Sequence, residues 1–292
     1  MEDVKKIPRT GVIREYDMHS PSVRIGYGFL IFLCCLMVLV AVFPLVWVAL
    51  AGFKELEEFN NSSSILPSTF SMKAYTTTWS QVGIAKNYLN SLISVSGSVI
   101  CAILFNGMVG YGLGILKPKG HKVVKRLVML SLLIPSTISI VPLFVNITKL
   151  FPGPTFVPLW LSFGANAMYI ILFAQFFESL PKSIIEASRI DGCSPLQTFF
   201  RIVLPLSKPI CVVVAIFALN AAWSDFLLPY LLLRGTDLQT VMVRLFDFST
   251  QQTINEDDMM RSVVFAMIPP IILFFIFQKQ LTENAVSVGI KG

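Results

Sequence analysis

Between Arg24 and Lys54 the chain reads IGYGFLIFLCCLMVLVAVFPLVWVALAGF, residues 25–53, with no Asp, Glu, Lys or Arg. A helix of about 20 residues crosses the hydrocarbon core of a bilayer, so this run is long enough to span one. Its apolar residues are contiguous and do not alternate, which argues against a strand of a transmembrane barrel. Charge-free runs recur between Lys86 and Lys117, between Arg126 and Lys149, and between Lys149 and Glu178. Two further runs are less clean. The stretch from Lys208 to Arg234 is interrupted by Asp225, and the one from Arg261 to Lys279 carries Pro269-Pro270 near its centre. Prolines are tolerated in membrane helices when neighbours re-satisfy the freed carbonyls. All six runs read as spans; the competing reading of the last is a re-entrant segment.

Composition agrees. The 292 residues are 54% apolar and 14% charged, with a mean hydropathy of +0.72. A soluble domain carries about 25% charged residues. That excludes an ordinary cytosolic enzyme, a disordered chain and a disulfide-rich secreted module. The expected fold class is an all-α polytopic membrane protein with six transmembrane helices.

An even number of spans puts both termini on one side. The segments that share that side, 1–26, 117–126, 178–208 and 279–292, hold sixteen Lys and Arg; the opposite side holds seven. Cytoplasmic loops carry the excess of Lys and Arg, so both termini are expected inside. The same bias accounts for the net charge of +6, which therefore gives no reason to expect nucleic acid. The polar lead is too long and the first apolar run too extended for a cleaved signal, so the N-terminus reads as a signal anchor. The expected division is 1–26 as a cytoplasmic segment with the start of the anchor, and 27–292 as the membrane domain.

Catalytic chemistry finds little support. Four of the five cysteines (Cys34, Cys35, Cys101 and Cys211) lie in apolar runs and Cys193 in an inside loop; all read as packing residues. They have no metal-ligand spacing with His19 and His121, so no metal site is expected. No Gly-x-x-x-x-Gly-Lys-Ser/Thr loop occurs, so the chain is expected to bind no nucleotide itself.

The informative loop is 178–208. Ser183 followed by Glu186 has the spacing of a capping box. Gly192 is the expected left-handed residue that ends the first helix. Ser194-Pro195-Leu196-Gln197 is a second capping box with proline at the first helical position, and Pro205 and Pro209 are expected to close the second helix. The loop reads as a rigid helix–Gly–helix bracket. Its apolar side, Ile184, Ile185 and Ala187, can sit in a groove of another protein, with Glu186, Arg189 and Asp191 pairing at the rim. The plainer alternative is an amphipathic loop on lipid headgroups.

This stretch resembles the EAA loop of ABC importer permeases. Glu186-Ala187-Ser188 stands where that loop has Glu-Ala-Ala, Gly192 follows after three residues, and Ile202-Val203-Leu204-Pro205 follows after nine. The departure is Ser188 for alanine. The flanks resemble the maltose-type carbohydrate permeases and their MalG-like second subunit: Trp223-Ser224-Asp225-Phe226-Leu227-Leu228-Pro229 in the fifth run, Pro67 to Lys73-Ala74-Tyr75 after the first, Gln278-Lys279, and Gly289-Ile290-Lys291-Gly292. The resemblance covers roughly residues 25–292.

It implies the type I ABC importer permease (MetI-like) fold in the plasma membrane of a prokaryote. The implied partners are a second homologous permease subunit, two ATP-binding cassette ATPase subunits and an extracytoplasmic solute-binding protein. ATP and Mg would be bound by the ATPases. Glu186, Ala187, Ser188, Arg189, Asp191 and Gly192 would couple ATPase closure to the permease core.

The substrate path is expected among the polar residues of the spans, which include Asn90, Asn106 and Asn166. Sugar recognition needs hydroxyl partners and aromatic faces, so Asn220, Trp223 and Asp225 are the candidates; the alternative is interhelical hydrogen bonding. Gly107, Gly110, Gly112 and Gly114 have the spacing of close helix packing. The outer segment 234–261 is expected to meet the binding protein or to cover the mouth of the bundle, with Val241–Phe246 as a short surface helix. An ion-gradient-driven secondary transporter is the alternative function. It usually carries ionisable residues at a midplane site, and Asp225 is the one clear intramembrane ion.

Overall fold

The computed structural model describes residues 21–251 and 254–289, with side chains of 280–289 and of Ser136 excepted. The first twenty residues, His19 and the terminal Ile290-Lys291-Gly292 lie outside the described residues.

The described chain is helical. Helix α1 (Pro21–Ala51) is followed by two short helices, α2 (Leu56–Asn61) and α3 (Met72–Val82). Helix α4 (Ala85–Tyr111) runs into a π turn, Gly112–Leu116. Then come α5 (His121–Ser131), α6 (Ser136–Leu150), α7 (Val157–Phe163) and α8 (Ala167–Glu178). The bracket is α9 (Lys182–Ile190), α10 (Pro195–Thr198), a π turn (Phe199–Val203) and α11 (Leu204–Leu206). Helices α12 (Lys208–Ser224), α13 (Leu227–Leu233), α14 (Val241–Ser249) and α15 (Glu256–Gly289) complete the fold.

All six runs are helical, but where six spans were expected, only three uninterrupted helices among the described residues are long and apolar enough to cross a membrane, 21–51, 84–116 and 256–279, or five if each of two bent helix pairs is one span. The others are broken for local reasons. The third run is divided between α5 and α6 at Pro135, which starts α6, and a residue before proline is pushed out of the α region. The fourth bends by 47° between α7 and α8, where Asn166 leaves the helix and caps α8 by accepting from the Tyr169 N–H. The fifth, expected as one span, stops at Asp225. Pro229 lacks the N–H that would bond the Asp225 carbonyl, and the chain turns extended there before α13. The last run is one helix through Pro269-Pro270, not a re-entrant segment.

Two of the buried clusters lie toward opposite ends of α4. At the bracket end, Ala102, Tyr111, Phe173, Phe177, Phe199 and Val203 are buried together. Close approach here depends on small residues. A side chain at Gly110 would meet Phe173 Cβ at 2.6 Å, and one at Gly114 the Ala174 carbonyl at 2.7 Å. A side chain at Gly107 would only touch the Phe199 ring, at 3.4 Å, and Gly112 faces open space, so the expected packing role holds for two of the four glycines, Gly110 and Gly114. At the other end, Tyr75, Val82, Trp223, Val241, Phe248 and Phe265 form the second core. Edge-to-face and tilted ring contacts run from Phe53 through Tyr75, Phe265, Trp79 and Tyr88 to Trp223.

Around these cores the surface is apolar. Helix α1 exposes Phe29, Phe32, Met37 and Leu39 along its length. Exposed apolar area on this scale is what a lipid-facing surface presents.

Candidate functional site

The bracket is fixed by its own ends. Helix α9 stops with Gly192 at φ +76°. The Cys193 N–H reaches the Ser188 carbonyl at 3.0 Å and the Gly192 N–H the Arg189 carbonyl at 3.1 Å. This is the Schellman pattern, which needs a left-handed residue. A Cβ at Gly192 would touch nothing within 4 Å, so its requirement is the dihedral angle alone. The second capping box forms as expected: Ser194 Oγ accepts from the Gln197 N–H, and Gln197 Oε1 from the Ser194 N–H.

The first capping box does not form. Pro181 is the N-cap, without a side-chain bond, and α9 begins at Lys182. Ser183 therefore sits inside the first turn and cannot act as a cap. The partner-facing side also differs from expectation. Ile185 is buried in the protein's own core and Ile184 is half-buried. Of the coupling residues, Glu186, Ala187, Arg189 and Asp191 are exposed.

Ser188 is 1% exposed. Its Oγ donates to the Ile185 carbonyl at 2.7 Å and lies 3.2 Å from Thr198 Oγ1. The substitution for alanine thus ties the two arms of the bracket together. The ring of Tyr111 in α4 lies 5.5 Å from that of Phe199, the residue after Thr198. The second arm is rooted in α4, then turns by 83° into α12; Pro205 lies inside that arm, which ends at Leu206. At the base, Lys125 pairs with Glu178 at 2.9 Å.

The three substrate-path candidates do not converge on one opening. Asn220 is exposed. Trp223 is buried, and its Nε1 donates to the Ala266 carbonyl at 3.1 Å. The Asp225 carboxylate faces the backbone N–H groups of Leu228, Leu227 and Phe226 at the start of α13. Other intramembrane amides also join helices: Asn106 donates to the Ala102 and Phe163 carbonyls and accepts from the Asn166 N–H.

At the opposite end, α4 holds the loop before α14. Asn87 and Asn90 donate to the Gln239 carbonyl, and Ser91 accepts from the Val241 N–H. Lys86 lies 2.7 Å from Asp237; this contact holds the exposed carboxyl below its ordinary range. Val241–Phe246 is helical as expected, but α14 is no mere surface helix: Val241, Val243 and Phe248 are buried.

Sequence reasoning missed a charge cluster here. Arg261, 5% exposed, reads in sequence as the boundary of a span. It donates to the Gly52 and Lys54 carbonyls just past α1 and to Asp257 and Asp258. Thr78 of α3 joins through Asp258 at 2.6 Å. Asp257 and Asp258, four and three residues before Arg261, were the available signal.

The family model described as "Binding-protein-dependent transport system inner membrane component" matches residues 106–285. Among similar proteins is the arabinooligosaccharides transport system permease protein AraQ of Halalkalibacterium halodurans, 31% identical over 92% of this chain and 95% of its own length. AraQ of Bacillus subtilis is 28% identical over 94% and 99%. The diacetylchitobiose uptake system permease protein NgcG of Streptomyces coelicolor is 28% identical over 86% and 84%. A solved structure, a bacterial ABC transporter involved in the import of the acidic polysaccharide alginate, has the same fold. Its TM-score is 0.79 at 22% identity, covering 89% of this chain and 98% of that one.

Proposed function

The chain belongs to the family of binding-protein-dependent transport system inner membrane components, and on that premise we propose that it forms the translocation path of an ATP-driven importer for a carbohydrate. Its proposed partners are a second homologous permease, two ATP-binding cassette ATPases and an extracytoplasmic solute-binding protein. The proposed setting is the plasma membrane of a prokaryote, with both termini cytoplasmic. The ATPases supply ATP binding and hydrolysis with Mg. Supporting the sugar as cargo are the relatives named for arabinooligosaccharide and diacetylchitobiose transport.

The observation that carries the coupling role is the rooting of the bracket in α4. A push on the exposed Glu186, Ala187, Arg189 and Asp191 reaches α10 through Ser188 and Thr198, then α4 through the ring contact of Phe199 with Tyr111. Elements joined this way move together, and differential binding of ATP to two states of the assembly drives them. Asn220, Trp223 and Asp225 serve the path in different ways. Asn220 is free to meet a sugar hydroxyl, while Trp223 and Asp225 hold the shape of the wall. No observation favours an ion-gradient mechanism.

The test is Gly192→Val in the co-expressed complex. A β-branched residue in the left-handed region costs about 1–2 kcal/mol, so α9 should lose its stop. Uptake is expected to fall at least tenfold, with less ATPase retained on purification and normal membrane insertion. Normal uptake with normal retention would remove the coupling assignment.

A further inference from the structure

Five cations fall between residues 117 and 126. Glu178 answers two of them, Lys125 at 2.9 Å and Lys117 at 3.9 Å. Lys119, Lys122 and Arg126 are exposed, with no hydrogen-bond or ion-pair partner among the described residues. Lys122 and Arg126 stand one turn apart on the same face of α5. Lys119 precedes them in the turn that leads into the helix. That helix starts at Gly120, φ +89°, with no side-chain cap, so its positive end adds to the charge of the three side chains.

The same face continues as hydrocarbon. One turn beyond Arg126 come Met129 and Leu130, then Leu133 in the turn after α5; they are 52%, 56% and 78% exposed. The bundle lies on another side, where Val128 packs against Leu113, Ile170 and Ala174. From Lys122 to Leu130 the helix rises about 12 Å. A cationic stripe therefore passes into an apolar one over the distance from a headgroup to the upper acyl chain.

We infer that this face of α5 binds an anionic phospholipid. Lys119, Lys122 and Arg126 hold the phosphate, and one acyl chain lies along Met129, Leu130 and Leu133. Charge complementarity selects an anion. Continuity with exposed apolar side chains selects a lipid over a soluble anion or an acidic protein surface, since those residues lie in the hydrocarbon. The inference is independent of the transport reading: it needs only the helix in a bilayer. Polybasic segments beside membrane helices contribute about 1 kcal/mol per Lys or Arg toward anionic headgroups.

The experiment is native mass spectrometry of the purified full-length chain with its co-purifying subunits, titrated with phosphatidylglycerol, phosphatidylcholine or inorganic phosphate. The wild type is expected to retain phosphatidylglycerol in preference to phosphatidylcholine. Lys122→Gln/Arg126→Gln should lower that preference about thirtyfold, while Lys149→Gln, a cation on another helix, leaves it unchanged. Lys119→Gln/Lys122→Gln serves as a second variant if the first fails to fold. Equal retention by wild type and a folded variant would overturn the inference. So would displacement of the lipid by millimolar phosphate, or loss of a protein subunit from the variant with lipid retention unchanged.

Discussion

At the scale of single residues, local backbone requirements decide what a sequence announces. Gly192 and the Ser194–Gln197 pair could be read directly because each satisfies a need within a few residues of itself, a left-handed dihedral and two orphan N–H groups. Ser183 had the right spacing for a cap but the wrong frame, since Pro181 had already opened the helix. Ser188 could not be read, because the hydroxyl it meets on Thr198 is brought near only by folding. Arg261 is the sharpest case. Its side chain is 6% exposed, and its guanidinium is bound to Asp257 and Asp258 at 2.8 Å each. Arg261→Met would leave those carboxylates without their cation and release the Gly52 and Lys54 carbonyls. Breaking a buried pair on one side costs about 3–5 kcal/mol. Thermal unfolding of the purified complex should show a large drop; an unchanged transition would mean the cluster contributes nothing to the attachment of α1.

Among elements, charges neither mark every helix end nor say where the helices break. Arg126 falls inside α5, and Arg261 and Lys279 fall inside α15, so the flanking charges do not bound every helix; three of the runs are interrupted at Pro135, Asn166 and Asp225. The break at Asp225 assigns its carboxylate to the start of α13. Asp225→Asn keeps the shape and one acceptor but removes the charge facing those N–H groups, worth about 0.3–1 kcal/mol at a helix start. Complex yield is therefore expected to fall modestly while the uptake half-saturation stays the same. A raised half-saturation at normal yield would make Asp225 a substrate ligand instead. Helix α14 teaches the related lesson that an amphipathic pattern does not name its cover; its apolar face is closed by α4 and α15. The proposed contact with a binding protein is then left to exposed residues of this segment such as Gln251. Asp257 is buried against Arg261, so a crosslinking cysteine belongs at the exposed Gln251. Capture of the soluble partner there is expected under turnover, and a clean band of the permease alone would count against contact.

For the whole molecule, the sequence declared a membrane protein through its scarcity of charge, 14%, and the described surface carries the matching apolar belt. What sequence could not supply is the proposed coupling route, because it runs through contacts between residues as distant as Tyr111 and Phe199. The bracket is joined to α4 at one end of the bundle, and α4 holds the loop before α14 at the other. One helix thus connects the face proposed for the ATPases to the face proposed for the binding protein. The central claim is that ATP acting on the bracket drives import. It is tested most directly in vesicles holding the reconstituted complex, with binding protein and radiolabelled oligosaccharide outside and ATP either enclosed or omitted. The account predicts accumulation only with enclosed ATP, unchanged when ion gradients are collapsed; accumulation driven by an ion gradient without ATP would contradict it.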